Sequence, residues 1–247
     1  MRILTNTIEK GELTGAYEEA MLQARIDGKI PDTIWIWKHP KMVYFLENSS
    51  VNFLDLDYIK ELGLPLCRSI FQAKTTSAII AGTDWGLFYV GKQDLGNRMD
   101  FYYDFWSKFL PLETRGNDLV IPNTDKKIGG VVSKKVGDVF MLNNTVLETI
   151  PKVDFNRLFK VPSKKYEGKT VSSPSERATS YFKETGKKIE LDDMIKKTTD
   201  LLNDKGISSE IGDFTKHEAD LVEQLTKKHT SEEWIKYGKI KQKPDFK

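Results

Sequence analysis

The sequence predicts an α+β fold, a mostly antiparallel or mixed β-sheet flanked by helices. Three observations carry this reading. Short β-prone runs follow one another at turn spacing between residues 33 and 147. Helical periodicity takes over from residue 190 onward. The short gaps between strands suit hairpins rather than the long crossovers of a doubly wound parallel sheet.

Taken in order, residues 15–26 form the first expected helix. Ala16, Ala20, Met21 and Ala24 fall on one face, and Gly28 and Pro31 end it. Residues 33–37 (Thr-Ile-Trp-Ile-Trp) and 42–46 (Met-Val-Tyr-Phe-Leu) are strands. The turn Lys38-His39-Pro40-Lys41 between them predicts a hairpin. Residues 55–62 begin acidic and exit at Gly63, a short helix, and residues 64–71 return to strand. Residues 77–81 and 85–90 are strands separated by Gly82-Thr83-Asp84, a turn-forming triplet.

Residues 99–110 are aromatic-rich, with Phe101, Phe105 and Phe109 repeating every four positions. That spacing predicts a helix face packed on the sheet rather than an aromatic ligand platform. Residues 119–121, 127–133 and 139–147 complete the strands, and residues 153–159 form a short helix. Residues 163–180 are rich in Ser and Lys and predict a loop. Helices follow at 191–203 and 216–228, with a last turn begun by Ser231 as N-cap and Glu232-Glu233 in its first turn.

With 247 residues, 39% hydrophobic and 30% charged, the chain has the balance of a soluble globular protein and length for one large domain. It is read as a single domain over residues 1–247. No apolar run approaches the roughly 20 residues that span a bilayer. Residues 1–10 lack the basic start and apolar core of a secretory signal, so a cytoplasmic location is expected. A net charge of +2 is too mild to imply nucleic acid or an anionic membrane as partner. Cys67 is the one cysteine, which excludes an intramolecular disulfide and any thiol cluster for zinc. The three histidines, His39, His217 and His229, share no metal-ligand spacing.

Four blocks then point to a family. The first is the segment 31–67, with Trp35 and Trp37 on a strand, Leu54-Asp55-Leu56-Asp57-Tyr58-Ile59, and Gly63-Leu64-Pro65-Leu66-Cys67-Arg68; Ala16-Tyr17-Glu18-Glu19-Ala20 supplies an opening helix. The second is Gly116-Asn117-Asp118-Leu119-Val120-Ile121 followed by Lys126-Lys127-Ile128-Gly129-Gly130. The third lies in residues 159–180, with Val161-Pro162 and Ser172-Ser173-Pro174-Ser175-Glu176-Arg177. The fourth is Lys227-Lys228-His229-Thr230-Ser231-Glu232-Glu233-Trp234. In order and spacing, over about residues 14–238, these resemble the catalytic domain of the lipoate–protein ligase A family, within the biotin/lipoate ligase superfamily. The resemblance stops where that family's large domain stops, so no C-terminal accessory domain is expected, and a separate small accessory subunit is a candidate partner.

The resemblance implies an ATP-dependent activation of lipoate, or a related acyl group, to an acyl-adenylate, followed by transfer to a lysine of a lipoyl-carrier protein. By the match, Lys127 is the principal catalytic cation; as a residue type it is equally a surface lysine in a lysine-rich chain. Gly129 and Gly130 would let a ligand approach the backbone, having no Cβ. Asn117 and Asp118 match polar residues near the nucleotide, with Asp118 the implied Mg²⁺ ligand; they are also an ordinary turn pair entering a strand. Arg68 is the one arginine left of the family's pair in the stretch 68–78, and Lys74 and Thr75 are candidate anion-binding residues by type, since lysine and hydroxyls bind phosphate without glycine.

That stretch departs from the family. The signature there is an arginine pair followed by a glycine triplet, and here it is Arg68-Ser69-Ile70-Phe71-Gln72-Ala73-Lys74-Thr75-Thr76. Tyr44-Phe45-Leu46 stands where the family has glycine, and a histidine expected near residues 141–144 is absent. Either Lys74, Thr75 and Thr76 rebuild an anion site with side chains, or the fold is kept to bind a lipoyl-carrier protein or partner subunit without catalysis. Cys67 adjoins Arg68 on a strand, where neighbours face opposite sides, and is expected to be a buried structural thiol.

Overall fold

The computed structural model describes residues 1–72, 78–93, 95, 98–160, 167–168 and 170–238. In chain order its strands are β1 (Arg2–Leu4), β2 (Thr33–Lys38), β3 (Met42–Phe45), β4 (Leu66–Arg68), β5 (Ala78–Ala81), β6 (Asp84–Gly91), β7 (Glu113–Arg115), β8 (Asp118–Val120), β9 (Lys127–Val136), β10 (Val139–Leu147) and β11 (Glu210–Gly212). The helices are α1 (Thr14–Ile26), α2 (Leu56–Glu61), α3 (Arg98–Trp106), α4 (Phe155–Leu158), α5 (Pro174–Arg177), α6 (Tyr181–Thr185), α7 (Leu191–Asp204), α8 (Lys216–His229) and α9 (Glu232–Tyr237).

Eight strands form one mixed sheet in the order β11-β1-β2-β6-β10-β9-β8-β7, and β4-β3-β5 form a second sheet. In the large sheet β1 runs parallel to both β2 and β11, while β2–β6, β6–β10, β10–β9, β9–β8 and β8–β7 are antiparallel. Every residue of β6 is buried, as befits a central strand covered on both faces. One face packs on α3 and α7 through Phe101, Tyr102, Phe105, Trp106, Met194 and Leu202. The other meets Met21, Trp35, Trp37, Phe88 and Met141, with α1 lying between the sheet and α8. The apolar face expected for α1 is core, with Ala16, Ala20, Met21 and Ala24 fully buried. Of the face expected over 99–110, Phe101 and Phe105 are buried, while α3 ends at Trp106 and Phe109, past its end, packs half-buried on the same core.

The expected hairpin of residues 33–37 and 42–46 does not form. Both edges of β2 are taken, by β1 and β6, so β3 has no free edge to join. The chain leaves the large sheet at Lys38-His39-Pro40, and β3 pairs with β4 and β5 instead. β5 and β6 part in the same way at Gly82, whose φ of +109° suits glycine and where a Cβ would lie 2.8 Å from Lys41 Cγ. The strand expected over 64–71 is only Leu66–Arg68, because Ile70 and Phe71 turn into the core. The expected loop 163–180 contains one helical turn, α5, capped by Ser173 with Pro174 at its start. Ser231 caps α9 as expected, accepting from the Trp234 N–H.

Gly129 sits where β9 crowds β10. A Cβ there would lie 2.4 Å from the Thr145 carbonyl oxygen and 2.9 Å from Val146 Cγ2. Gly129→Ala is expected to destabilise the protein by about 2 kcal/mol through forced strand separation, read as a lowered Tm. An unchanged Tm would mean β9 and β10 shift apart freely.

Candidate active site

The β8–β9 hairpin builds the site. Its register sets Asp118 opposite Gly130, and Asn117 turns the chain from β7 into β8, its carbonyl accepting from the Val131 N–H at 2.8 Å. Asn117 is itself exposed. The start of β9 is also held from the other side, where the Thr179 N–H donates to the Lys127 carbonyl at 3.0 Å. That contact brings α5 alongside and delivers Arg177.

Lys127 and Arg177 converge on one carboxylate. Lys127 Nζ lies 2.6 Å from Asp118 Oδ1, and Arg177 Nη2 donates to Asp118 Oδ2. The three side chains are partly exposed to solvent. Lys127 curls over Gly130, where a Cβ would stand 3.1 Å from its Nζ. The Gly130 carbonyl accepts from Asn144 Nδ2 at 2.8 Å, and the indole of Trp106 donates to Asn144 Oδ1. That buried relay fixes the strand beneath the cations. Two cations on a single carboxylate leave net positive charge, suited to phosphate and acyl oxygens.

Asp118 was the residue implied for Mg²⁺. Each of its oxygens already faces a cation, and among the described residues no group of three His, Cys, Asp or Glu could hold a metal ion. The donor set does not fit a resident metal. It does fit Mg²⁺ arriving on a nucleotide, because that ion commonly takes one or two protein carboxylates beside phosphate oxygens.

Arg68 stands apart from this cluster. It is 1% exposed, and all five of its N–H groups have acceptors. Nη1 donates to the carbonyls of Leu46, Glu47 and Ser49; Nε and Nη2 donate to Ile235, and Nη2 also to Lys236. Its guanidinium thus ties the loop after β3 to α9 and offers no donor to a ligand in this arrangement. Burial pulls its pKa down to about 10, with Glu47 opposing, so it remains charged at neutral pH. Lys74 and Thr75 lie outside the described residues, as do Val161 and Pro162.

The described start of the altered stretch is closed. Ile70 and Phe71 are buried, with Phe71 edge-on to Phe88. Lys134 Nζ donates to the Ile70 carbonyl at 2.7 Å, and the Glu47 N–H donates to the Phe71 carbonyl at 2.8 Å. Cys67 is 1% exposed and burial pushes its thiol pKa up, which leaves almost no thiolate at neutral pH. Cys67→Ala is expected to leave any acyl-transfer rate within about twofold of the parent. A folded but inactive variant would reinstate a thiol mechanism.

Sequence reasoning missed Arg177 and Asn144 as members of this site. Arg177 had a signal, as the last residue of the Ser172–Arg177 block. Asn144 had none, since its role is set by a hydrogen-bonded pair 38 residues apart in sequence.

No family model matches the chain, and no curated protein matches its sequence. Solved structures do match its fold. One is a chain of the Thermoplasma acidophilum lipoylation system, described as a bi-partite lipoate protein ligase and its E2 lipoyl domain: TM-score 0.76 at 19% identity, covering 98% of each chain. The fold is that of the lipoate–protein ligases. P. falciparum LipL1 in complex with lipoate gives a TM-score of 0.74 at 13% identity, covering 100% of this chain and 76% of that one. A lipoate-protein ligase A bound with ATP gives 0.71 at 19%, covering 95% and 97%. The mixed eight-stranded sheet with flanking helices is thus the ligase-type catalytic fold over nearly the whole chain. No helix among the described residues is long and apolar enough to cross a membrane.

Proposed function

We propose that the protein is a divergent lipoate–protein ligase-like enzyme of the cytoplasm, using ATP with Mg²⁺. In the first step a carboxylate oxygen of lipoate, or a related acyl group, attacks the α-phosphorus of ATP; the bond to pyrophosphate breaks and an acyl-adenylate forms. In the second, a lysine amine of a lipoyl-carrier domain attacks the acyl carbon, and AMP leaves with the bonding electrons as the amine loses its proton. The observation that carries this reading is the convergence of Lys127 and Arg177 over Gly130. In this reading both cations would meet the charge developing on phosphate and acyl oxygens. Lys127 and Arg177 pair with Asp118; with nucleotide bound, the two cations would hold phosphate oxygens and Asp118 would be the carboxylate available to a nucleotide-borne Mg²⁺. A separate small accessory subunit belongs to the same reading, supported by the bi-partite description of the Thermoplasma neighbour.

The burial of Ile70 and Phe71 favours a second reading, a non-catalytic paralogue that binds a lipoyl-carrier protein or partner subunit. One experiment separates them. The protein is incubated with Mg·ATP, lipoate and a purified lipoyl-carrier domain, and both pyrophosphate release and the carrier's mass are followed. Pyrophosphate and a lipoylated carrier are expected. Stable carrier binding with neither product would establish the second reading, and no binding and no product would overturn both.

A further inference from the structure

Outside the Lys127 cluster, the core holds a closed ring of three oxygen-bearing side chains. Tyr44 Oη lies 2.6 Å from Glu18 Oε1 and 2.7 Å from Ser69 Oγ, and Ser69 Oγ lies 2.6 Å from Glu18 Oε2. Glu18 and Ser69 are fully buried and Tyr44 nearly so. Three edges of hydrogen-bond length need three protons. Tyrosine and serine bring one each, so the third must come from Glu18. With Glu18 as a carboxylic acid the ring closes in one direction: Glu18 donates to Tyr44, Tyr44 to Ser69, and Ser69 back to Glu18. With an ionised Glu18, one short oxygen–oxygen edge has no proton and a charge sits in the core.

The surroundings agree. The Phe71 N–H donates to Ser69 Oγ at 3.1 Å, and Asn143 Nδ2 reaches Tyr44 Oη at 3.4 Å. Among the described residues no lysine or arginine is bonded to Glu18. From β4, Cys67 faces it as a thiol, itself near Glu12, while Arg68 is committed to carbonyls. His39, on the connection to β3, faces it from beside Asp84, 2.8 Å from that carboxylate. On its own helix the adjacent Glu19 turns away to His229 and Lys228 of α8. Burial pushes the Glu18 pKa up to about 7, outweighing the hydrogen bonds that Ser69, Tyr44 and the Ile70 N–H would give an ionised carboxylate.

We propose that Glu18 is stored as a neutral carboxylic acid and serves as a pH-sensitive latch on the chain at Ser69–Phe71. The ring fastens α1 and β3 to the point where the chain leaves β4 and plugs the core with Ile70 and Phe71. Any opening that exposes Glu18 to water releases its proton once the pH exceeds the ordinary carboxyl pKa. The opening constant therefore rises with pH from about 4.5 to about 7 and levels off above.

The test is amide hydrogen exchange at Ile70 and Phe71, corrected for the intrinsic pH dependence of exchange, in the parent and in Glu18→Gln. Glutamine can donate to Tyr44 and accept from Ser69 at every pH, so the variant keeps the ring without the titration. Expected is a loss of protection of about tenfold per pH unit between about pH 5 and 7 in the parent, and a flat profile in Glu18→Gln. A flat parent profile, or the same slope in both proteins, would overturn the proposal. Should Glu18→Gln fail to fold, infrared spectroscopy of the parent decides. A buried protonated-carboxyl band present near pH 5 and lost above neutrality supports the latch, and an ionised Glu18 at that pH refutes it.

Discussion

Replacing Lys127 with alanine is expected to lower acyl-adenylate formation at least about 100-fold while barely changing the Tm. Removing one positioned donor or cation from a developing charge commonly costs about 3 kcal/mol of transition-state stabilisation. The stability term is small for a structural reason. Lys127 is a third exposed, and Asp118 keeps Arg177 when Lys127 is lost, so no carboxylate is orphaned. A partly exposed pair of this kind contributes less than about 1 kcal/mol, and in a chain of this size that moves the Tm by only about 2–4 °C. Lys126, its neighbour in sequence, has no ion pair at Asp118, and Lys126→Ala is expected to retain near-parental activity. Pyrophosphate release with ATP and lipoate, beside a thermal melt, measures both quantities. A fully active Lys127→Ala protein would remove the central residue of the account.

Arg68→Ala should have the opposite profile, a large loss of stability. The substitution strips the hydrogen bonds from the carbonyls of Leu46, Glu47, Ser49, Ile235 and Lys236 at once. It also removes a cation stacked 4.6 Å from the Phe45 ring. Breaking a buried charged network from one side costs about 3–5 kcal/mol, which corresponds to a Tm fall of about 10 °C. Arg68→Lys is expected to recover only part of this, because an ammonium has three donors and cannot span two sets of acceptors. Since α9 hangs on this guanidinium and on the bond from Trp234 Nε1 to the Arg68 carbonyl at 3.1 Å, its amides should lose exchange protection first. A melt unchanged by Arg68→Ala would show that the clamp is dispensable and reopen Arg68 as a ligand-binding residue.

The contrast between these residues shows what the sequence could and could not convey. Lys127 and Asp118 could be named from the sequence because the family resemblance implied both; they lie on one hairpin, where Asp118 faces Gly130, Lys127 faces Val120, and the lysine side chain reaches back over Gly130 to the carboxylate. The acceptors of Arg68 come from segments 19–22 and 167–168 residues away, and no local pattern encodes such distances. Glu18 and Glu19 make the point more sharply. They are adjacent identical residues on one helix. Burial raises Glu18 to about 7, whereas for Glu19 the hydrogen bonds from His229 and Lys228 outweigh burial and bring it to about 2. Which glutamate faces the core depends on α8 packing against α1, a contact some 200 residues distant.

The same distinction governs the fold. Helices with an apolar stripe, such as the one bearing Phe101 and Phe105, announce themselves through period. Strands β1, β7 and β11 have three residues each, too few for any periodicity, and went unread. The false hairpin at residues 38–41 came from treating sequence neighbours as pairing neighbours. The strand was already flanked on both sides by segments from elsewhere in the chain.

The most direct test of a ligase-type site is isothermal calorimetry of the protein with a non-hydrolysable lipoyl-adenylate analogue, against ATP·Mg²⁺ and lipoate alone. Saturable one-to-one binding of the analogue, tighter than either component and lost in Lys127→Ala, is the predicted result. Absence of binding by a folded parent protein would contradict it.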